Sequence, residues 1–296
     1  MRLLLLCLVT TLASCTEPPP QKEFDGAQAY QYVEQQMAFG NRIPGTEAHR
    51  RTGDWLDSLL RRKADTVVVQ AWNHVASDGD TLQLRNFIAR FNPAATTRIL
   101  YLAHWDTRPT ADRDSTTDHS KPVPGANDGA SGVAVLLGVA DALRKQPPAI
   151  GVDLLFVDGE DYGTFPDTDV LIGSKYYAAH QLPGPKPQFA VLWDMVGDRN
   201  LEIFEEGYSN IAAPEVVDRV WSTAHALGYQ QFFFAEPKYT LEDDHVPLQK
   251  VGIPAIDVID FDYPYWHTPD DTADKLSAES LKVVGDVAVA VIRGMK

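Results

Sequence analysis

Five short clusters hold residue types that can bind a metal and move protons: His104-Trp105-Asp106, Asn127-Asp128-Gly129, Glu160-Asp161, Asp194 and His267. Carboxylates combined with neutral imidazole suit zinc, and a catalytic zinc takes three protein ligands and keeps one position open. Adjacent Glu160 and Asp161 can divide the work, one ligating while the other faces a substrate. A lone Asp or His carries little weight, because most such residues cap helices, meet solvent or are satisfied in the core. His49, His74, His119, His180 and His225 are assigned to that ordinary role. The weight lies in the set and in where the chain puts it.

Apolar periodicity predicts helices near 27–39, 47–62, 132–145, 168–180, 214–227 and 277–293. In the third of these, Val133, Leu136, Leu137, Ala140 and Leu143 fall on one face. Strand-type runs lie at Thr66–Trp72, Leu82–Phe91, Arg98–Leu102, Val152–Val157, Phe189–Trp193 and Ala255–Ile259. The runs at 98–102, 152–157 and 189–193 are nearly continuous in apolar residues, as strands covered on both faces should be. Strands alternating with helices imply an α/β sandwich. The pair 66–72 and 82–91, joined around Ser77-Asp78-Gly79-Asp80, reads as an antiparallel hairpin, so the sheet is expected to be mixed. The buried-type strands end at His104-Trp105-Asp106, at Asp158-Gly159-Glu160-Asp161 and at Asp194. Ligands of open α/β sheets bind beyond the carboxyl ends of the strands, so these three ends are expected to share one site.

The chain has 26 Lys and Arg against 41 Asp and Glu, a formal net charge of −15, which makes nucleic acid and anionic membrane surfaces poor partners. Arg2 followed by the apolar run Leu3–Val9 and then Leu12-Ala13-Ser14-Cys15 has the order of an export signal, too short to span a bilayer as a helix. The Leu-Ala-Ser-Cys end resembles the lipobox of bacterial lipoproteins. That resemblance implies a signal peptide over 1–14, a lipid anchor on Cys15 that attaches the chain to a membrane of the cell envelope or periplasm, and a Pro-rich tether over 15–23. A single catalytic domain is expected over 24–296. With Cys7 removed and Cys15 lipidated, the mature fold has no disulfide and depends on its core.

Taken together, His104-Trp105-Asp106, Gly125-Ala126-Asn127-Asp128-Gly129-Ala130-Ser131-Gly132, Asp158-Gly159-Glu160-Asp161, Asp194-Met195-Val196-Gly197 and His267-Thr268-Pro269-Asp270-Asp271-Thr272 resemble the signature of the zinc aminopeptidases. Asn41-Arg42-Ile43-Pro44-Gly45-Thr46 is similar to the same superfamily. The resemblance implies a three-layer phosphorylase/hydrolase-like sandwich with a mixed, twisted central β-sheet flanked by helices. It covers two chemistries. One branch hydrolyses N-terminal residues, normally with two zincs; the animal-type glutaminyl cyclases use one zinc to close an N-terminal Gln into pyroglutamate, releasing ammonia. Asp243 in Asp243-Asp244-His245-Val246-Pro247 stands where the aminopeptidases usually have Ser, and Trp266 directly precedes His267, as in the cyclases. Both details favour the cyclase branch, while His104 and Asp194 stand where the peptidase branch binds its first metal.

The cyclase resemblance implies one zinc per chain on Asp128, Asp161 and His267, Glu160 as the acid/base, and N-terminal Gln peptides or proteins as substrates. Asp194 and Asp243, by like-charge repulsion, would raise the Glu160 pKa and anchor the reacting amino groups. Trp193 and Trp266 flank Asp194 and His267 and are candidate walls of the substrate pocket, with Phe261, Tyr263 and Tyr265 extending its rim.

Overall fold

The computed structural model describes residues 20–113, 115–164 and 169–295; the expected signal peptide and Cys15 lie outside them. The elements follow in the order α1 (Gly26–Met37), α2 (Glu47–Lys63), β1 (Thr66–Val75), β2 (Thr81–Phe91), β3 (Arg98–His104), α3 (Ala130–Lys145), β4 (Gly151–Val157), α4 (Ile172–Ala179), β5 (Ala190–Asp194), β6 (Ile203–Glu206), α5 (Gly207–Ala212), α6 (Pro214–Ala226), β7 (Phe233–Tyr239), α7 (His245–Lys250), β8 (Ala255–Ile259) and α8 (Ala278–Arg293). Six strands form one sheet in the order β1-β2-β4-β3-β5-β8. The hairpin β1/β2 and the pair β2/β4 are antiparallel, while β4, β3, β5 and β8 run parallel, so the sheet is mixed.

Every residue of β3, β4, β5 and β8 is buried, because both faces of these strands are covered. The side-chain period of two sorts each strand between two cores. Ile99, Tyr101 and Ala103 of β3, with Val191 and Trp193 of β5, join the large cluster under α1, α2, α3, α6 and α8. Leu100, Leu102, Ala190 and Leu192 face Tyr177 of α4 and Leu248 of α7 on the other side. This is the expected three-layer α/β sandwich. The five apolar residues foreseen on one face of α3 are all buried in the large cluster.

Four of these elements have no counterpart among those expected from the sequence: the short helices α5 and α7 and the strands β6 and β7. β6 and β7 form a separate two-stranded parallel sheet with register shifts. β7 is mostly exposed and contains Pro237, so despite Phe233, Phe234 and Tyr239 it lacks the apolar alternation of a half-buried strand. Among the described residues no helix is long and apolar enough to cross a membrane.

The chain enters the domain through Phe24, which lies between α3 and α8. A Cβ at Gly138 or at Gly285 would collide with its ring, so the two glycines form the slot it fills. Phe24 N donates to Asp286 Oδ1 at 2.9 Å, and Lys282 Nζ donates to Phe24 O at 3.0 Å, which fixes the backbone as well as the ring. Phe24→Ala should empty the slot and cost about 3–5 kcal/mol of unfolding free energy. Urea denaturation measures this, and a loss below about 1 kcal/mol would mean the entry segment is not anchored there.

Candidate active site

The parallel register brings the chemistry together. His104 ends β3 opposite Val157 of β4, so the loop Asp158–Asp161 begins where His104 stands. Leu102 pairs with Leu192, which puts Asp194 at the same edge. Asp128 comes from the other direction, on the loop immediately before α3, where the positive end of the helix dipole favours a carboxylate. Gly129 is required here, because a Cβ would strike the ring and carbonyl of His104. His267 and Met195 both have positive φ, 54° and 45°, a conformation that costs a non-glycine residue of order 1–3 kcal/mol and that clusters at functional sites.

Among the described residues two groups able to hold a cation result, and they share Asp128: His104, Asp128 and Asp194 in one, Asp128, Asp161 and His267 in the other, with the ligand atoms of each group within 4.8 Å of one another. His104 Nε2 lies 3.0 Å from Asp128 Oδ1 and 3.4 Å from Asp194 Oδ1. His267 Nε2 lies 3.5 Å from Asp161 Oδ1 and 3.7 Å from Asp128 Oδ2. Asp161 Oδ2 is buried without a hydrogen-bond partner, a cost of about 1–3 kcal/mol that a bound cation removes. Two carboxylates, an imidazole and an unpaired buried oxygen fit zinc.

The loops are held from behind. Asp106 accepts the backbone N–H of both Glu160 and Asp161 at 3.1 Å. Asp271 accepts those of Asn127 at 2.8 Å and Asp128 at 3.2 Å, and the hydroxyl of Tyr263 at 2.7 Å. Arg42, wholly buried, donates to the carbonyls of Trp105, Pro124 and Gly125, tying the His104 loop to the Asp128 loop. Burial pulls its pKa down to about 10, which leaves it charged at neutral pH.

Glu160 stands beside this group, partly exposed. Burial pushes its pKa well above the usual carboxylate range, helped by the charges of Asp161, Asp243 and Asp244 and opposed by His104. Asp243 is raised in the same way by burial, Asp194 and Asp244. Its carboxylate accepts the neighbouring Asp244 N at 2.5 Å and makes no bond further into α7, so it is not the cap of that helix. Asp128, Asp161, His267, Glu160, Asp194 and Asp243 are thus gathered at one edge.

The two tryptophans part company. Trp266 is partly exposed and stacks on His267 at 3.9 Å with a 23° interplanar angle. Trp193 is fully buried, edge-on to Tyr101 at 5.4 Å, so its ring belongs to the core and not to an exposed pocket wall. Phe261 and Tyr265 are partly exposed beside Trp266, whereas Tyr263 is buried and serves Asp271. Among the remaining histidines, His49 pairs with Asp158 and His74 with Asp169, each at 2.7 Å, while His225 meets the Phe233 carbonyl. Arg108, Asp112 and Asp271 support the site without having been singled out in the sequence, although Asp271 lies within the His267 motif.

An α/β sandwich with metal-ligating carboxylates and imidazoles at the carboxyl edge of its parallel strands defines an aminopeptidase-like metalloprotein. The chain belongs to peptidase family M28, whose model matches residues 86–292. It is similar to a glutaminyl cyclase from Bacteroides thetaiotaomicron bound to N-acetylhistamine, with 38% identity, a TM-score of 0.88 and coverage of 94% of this chain and 100% of that one. A leucine aminopeptidase precursor from the same organism matches with 38% identity and a TM-score of 0.88 over 93% of this chain and 98% of that chain. The glutaminyl-peptide cyclotransferase of Boiga irregularis is 26% identical over 239 residues, 68% of this chain but 63% of its own length. The match therefore spans less than two thirds of that curated relative.

Arg42 gives a test of how the two loops are joined. Arg42→Leu would leave the carbonyls of Trp105 and half-buried Pro124 without donors and take one of two donors from that of Gly125, which still accepts Ala130 N, so at about 1–3 kcal/mol per orphaned group unfolding free energy should drop by about 2 kcal/mol or more. Arg42→Lys cannot reproduce the planar fork and should lose a substantial part of this. A lysine variant as stable as the parent in urea would show that charge alone suffices.

Proposed function

We propose that this chain is a glutaminyl-peptide cyclotransferase that converts N-terminal Gln of peptides or proteins into pyroglutamate and ammonia, with one zinc per chain. The observation that carries the reading is Asp243, a buried carboxylate placed among Glu160 and Asp194 and not used as a helix cap. Similarity to glutaminyl cyclases at 38–39% identity supports it.

Asp128, Asp161 and His267 would hold the zinc, which supplies Lewis acidity at the γ-carbonyl of the substrate Gln. The substrate's α-amine nitrogen forms the new bond to the γ-carbon, and the bond from that carbon to the amide nitrogen breaks. Glu160 accepts a proton from the amine and returns one to the amide nitrogen, which leaves as ammonia; no water is consumed. A single carboxylate can do both steps only if its pKa approaches neutrality, and burial beside Asp161 and Asp243 moves Glu160 in that direction. Because the deprotonated form is the base, the acidic limb of the rate profile should lie above the ordinary carboxylate range. Asp243, whose carboxyl is held toward the protonated form by burial and by the charge of Asp194, would in that form donate a hydrogen bond that restrains the reacting amino groups. Trp266, stacked on His267, covers the methylenes of the Gln side chain and limits competing water.

A second reading is a two-metal aminopeptidase, favoured by the His104, Asp128 and Asp194 group. A Gln-led peptide followed by mass spectrometry separates the two, since a cyclase releases ammonia and a peptidase releases a free amino acid. Metal analysis should give about one zinc per chain, lost in His267→Ala and largely kept in His104→Ala. Two tightly held zincs, one of them shed by His104→Ala, would move the assignment to the peptidase. Glu160→Gln should bind zinc and lose about 10²-fold or more in rate. Asp243→Ser should also keep zinc and slow cyclisation by at least about 10²-fold, near 2.7 kcal/mol in the barrier. Parental rates in both would make these carboxylates structural.

For location, the Leu12-Ala13-Ser14-Cys15 sequence supports export and lipid anchoring at Cys15 in the cell envelope. Cys15→Ala should release a soluble form or stall processing. Unchanged membrane fractionation of that variant would count against the anchor.

A further inference from the structure

Arg108 and Asp112 lie on the loop that follows β3. Arg108 is 5% exposed and divides its guanidinium between two carboxylates. Nε and Nη2 donate to the two oxygens of Asp112 at 2.8 and 2.6 Å, and Nη1 donates to Asp161 Oδ1 at 2.6 Å. Asp112 Oδ1 is also 2.9 Å from His267 Nδ1. The backbone of the same loop reaches His267 as well, Arg113 N donating to its carbonyl at 3.3 Å. An unbroken chain of charged contacts therefore runs from His267 through Asp112 and Arg108 to Asp161, joining two of the residues assigned to zinc.

Each contact determines which atom of a ligand is left over. A histidine that gives its Nδ1–H to a carboxylate has its lone pair on Nε2, and Nε2 is the nitrogen that faces Asp128 and Asp161. Arg108 occupies Oδ1 of Asp161, while Oδ2 is buried and has no hydrogen-bond partner. The planar fork matters, because a lysine ammonium could not engage both oxygens of Asp112 in parallel while also holding Asp161. The fixed positive charge beside Asp161 also draws on the electron density of that carboxylate, which keeps a metal bound to it more electrophilic than an unpaired Asp would.

We propose that Arg108 and Asp112 are positioning residues that select the donor atoms of the zinc site: Arg108 reserves Asp161 Oδ1 so that this ligand offers Oδ2 alone, and Asp112 presents His267 through Nε2. The inference rests on Asp128, Asp161 and His267 as the zinc ligands and is independent of whether the zinc serves cyclisation or hydrolysis.

The test uses the metal-free full chain and two probes, zinc titrated against a chelating dye and cobalt(II) followed by its visible d–d bands. Asp112→Ala should weaken zinc binding about 10–100-fold. Asp112→Asn, whose amide oxygen still accepts from Nδ1–H, should recover most of that loss. Arg108→Met frees both oxygens of Asp161, so the carboxylate can chelate; the rise in coordination number should weaken the cobalt bands relative to the parent. Parental zinc affinity in Asp112→Ala overturns the role of Asp112, and a parental cobalt spectrum in Arg108→Met overturns that of Arg108. Urea unfolding of the metal-free proteins separates packing from ligand selection: the variants lose a buried charge pairing and should be less stable without metal while still unfolding cooperatively, and such a loss accompanied by parental zinc affinity and a parental cobalt spectrum would sink the proposal. A parent chain that takes up no zinc would instead refute the ligand assignment itself, which keeps the two failures distinct.

Discussion

The crowding of carboxylates at the carboxyl edge of the sheet is the constraint on which the rest of this molecule depends. Asp106, Asp128, Asp161, Asp194, Asp243, Asp244, Asp257 and Asp271 are each no more than 8% exposed. Two like unit charges 4 Å apart repel by about 4 kcal/mol even at an effective dielectric of 20, so these groups cannot all be ionised and uncompensated. The protein answers in different ways at different residues. Asp243 and Asp257 are held toward the protonated form by burial and by their neighbours. Asp106 and Asp271 spend their oxygens on backbone N–H groups. Arg42 and Arg108 bring positive charge in from behind, and His104 and His267 face the carboxylates that remain. What is left over at Asp128 and Asp161 is a demand for a cation.

That demand can be sustained only on a rigid support. The parallel strands β3, β4, β5 and β8 are buried throughout, with close-packed cores on both faces, so the strand ends cannot move apart to relieve repulsion. α3 rests directly on β5, since a Cβ at Gly132 would fall on the carbonyl of Trp193, and this close approach delivers Asp128 to the ends of the neighbouring strands. Left-handed backbone at Met195 and His267 is held in place by hydrogen bonds: Asp194 Oδ1 accepts Met195 N at 2.7 Å, Ser131 Oγ accepts Val196 N at 3.0 Å, and the His267 carbonyl accepts Arg113 N. The core thus stores at the site a conformational cost that an unsupported loop would relax.

The same frame accommodates two chemistries because they differ in few side chains. Both need a carboxylate that can exchange a proton beside a Lewis acid, the role proposed for Glu160. What distinguishes a site that restrains an amine from one that positions water is the set of groups around it, and position 243 contributes a buried carboxyl where a hydroxyl would leave room and remove charge. The pair Arg108 and Asp112 acts a step further back, on the donor atoms of the ligands themselves, and is therefore neutral between the two reactions.

Much of this was present in the sequence by itself. Continuous apolar runs marked the doubly covered strands, and period-3.6 patterning located α2, α3, α6 and α8 to within about two residues, because burial imposes those periods on any chain that folds this way. The polar residues that interrupt the runs, His104, Glu160, Asp161 and Asp194, fell at strand ends, so a shared edge followed without knowing strand order. Only the tertiary structure decided the rest. Alternation could not assign Trp193 to a face, since every residue of β5 is buried; packing against Tyr101 puts it in the core. β6 and β7 left no pattern because β6 has only four residues and β7 is mostly exposed, so neither buries enough to require one. The contacts of Arg42, Arg108, Asp112 and Asp271 join loops distant in sequence, and a loop arginine or aspartate has no periodicity that reveals its partner. Residue type and local burial can be written along a chain, whereas which oxygen of a carboxylate stays free for a cation depends on geometry that exists only once the loops have met.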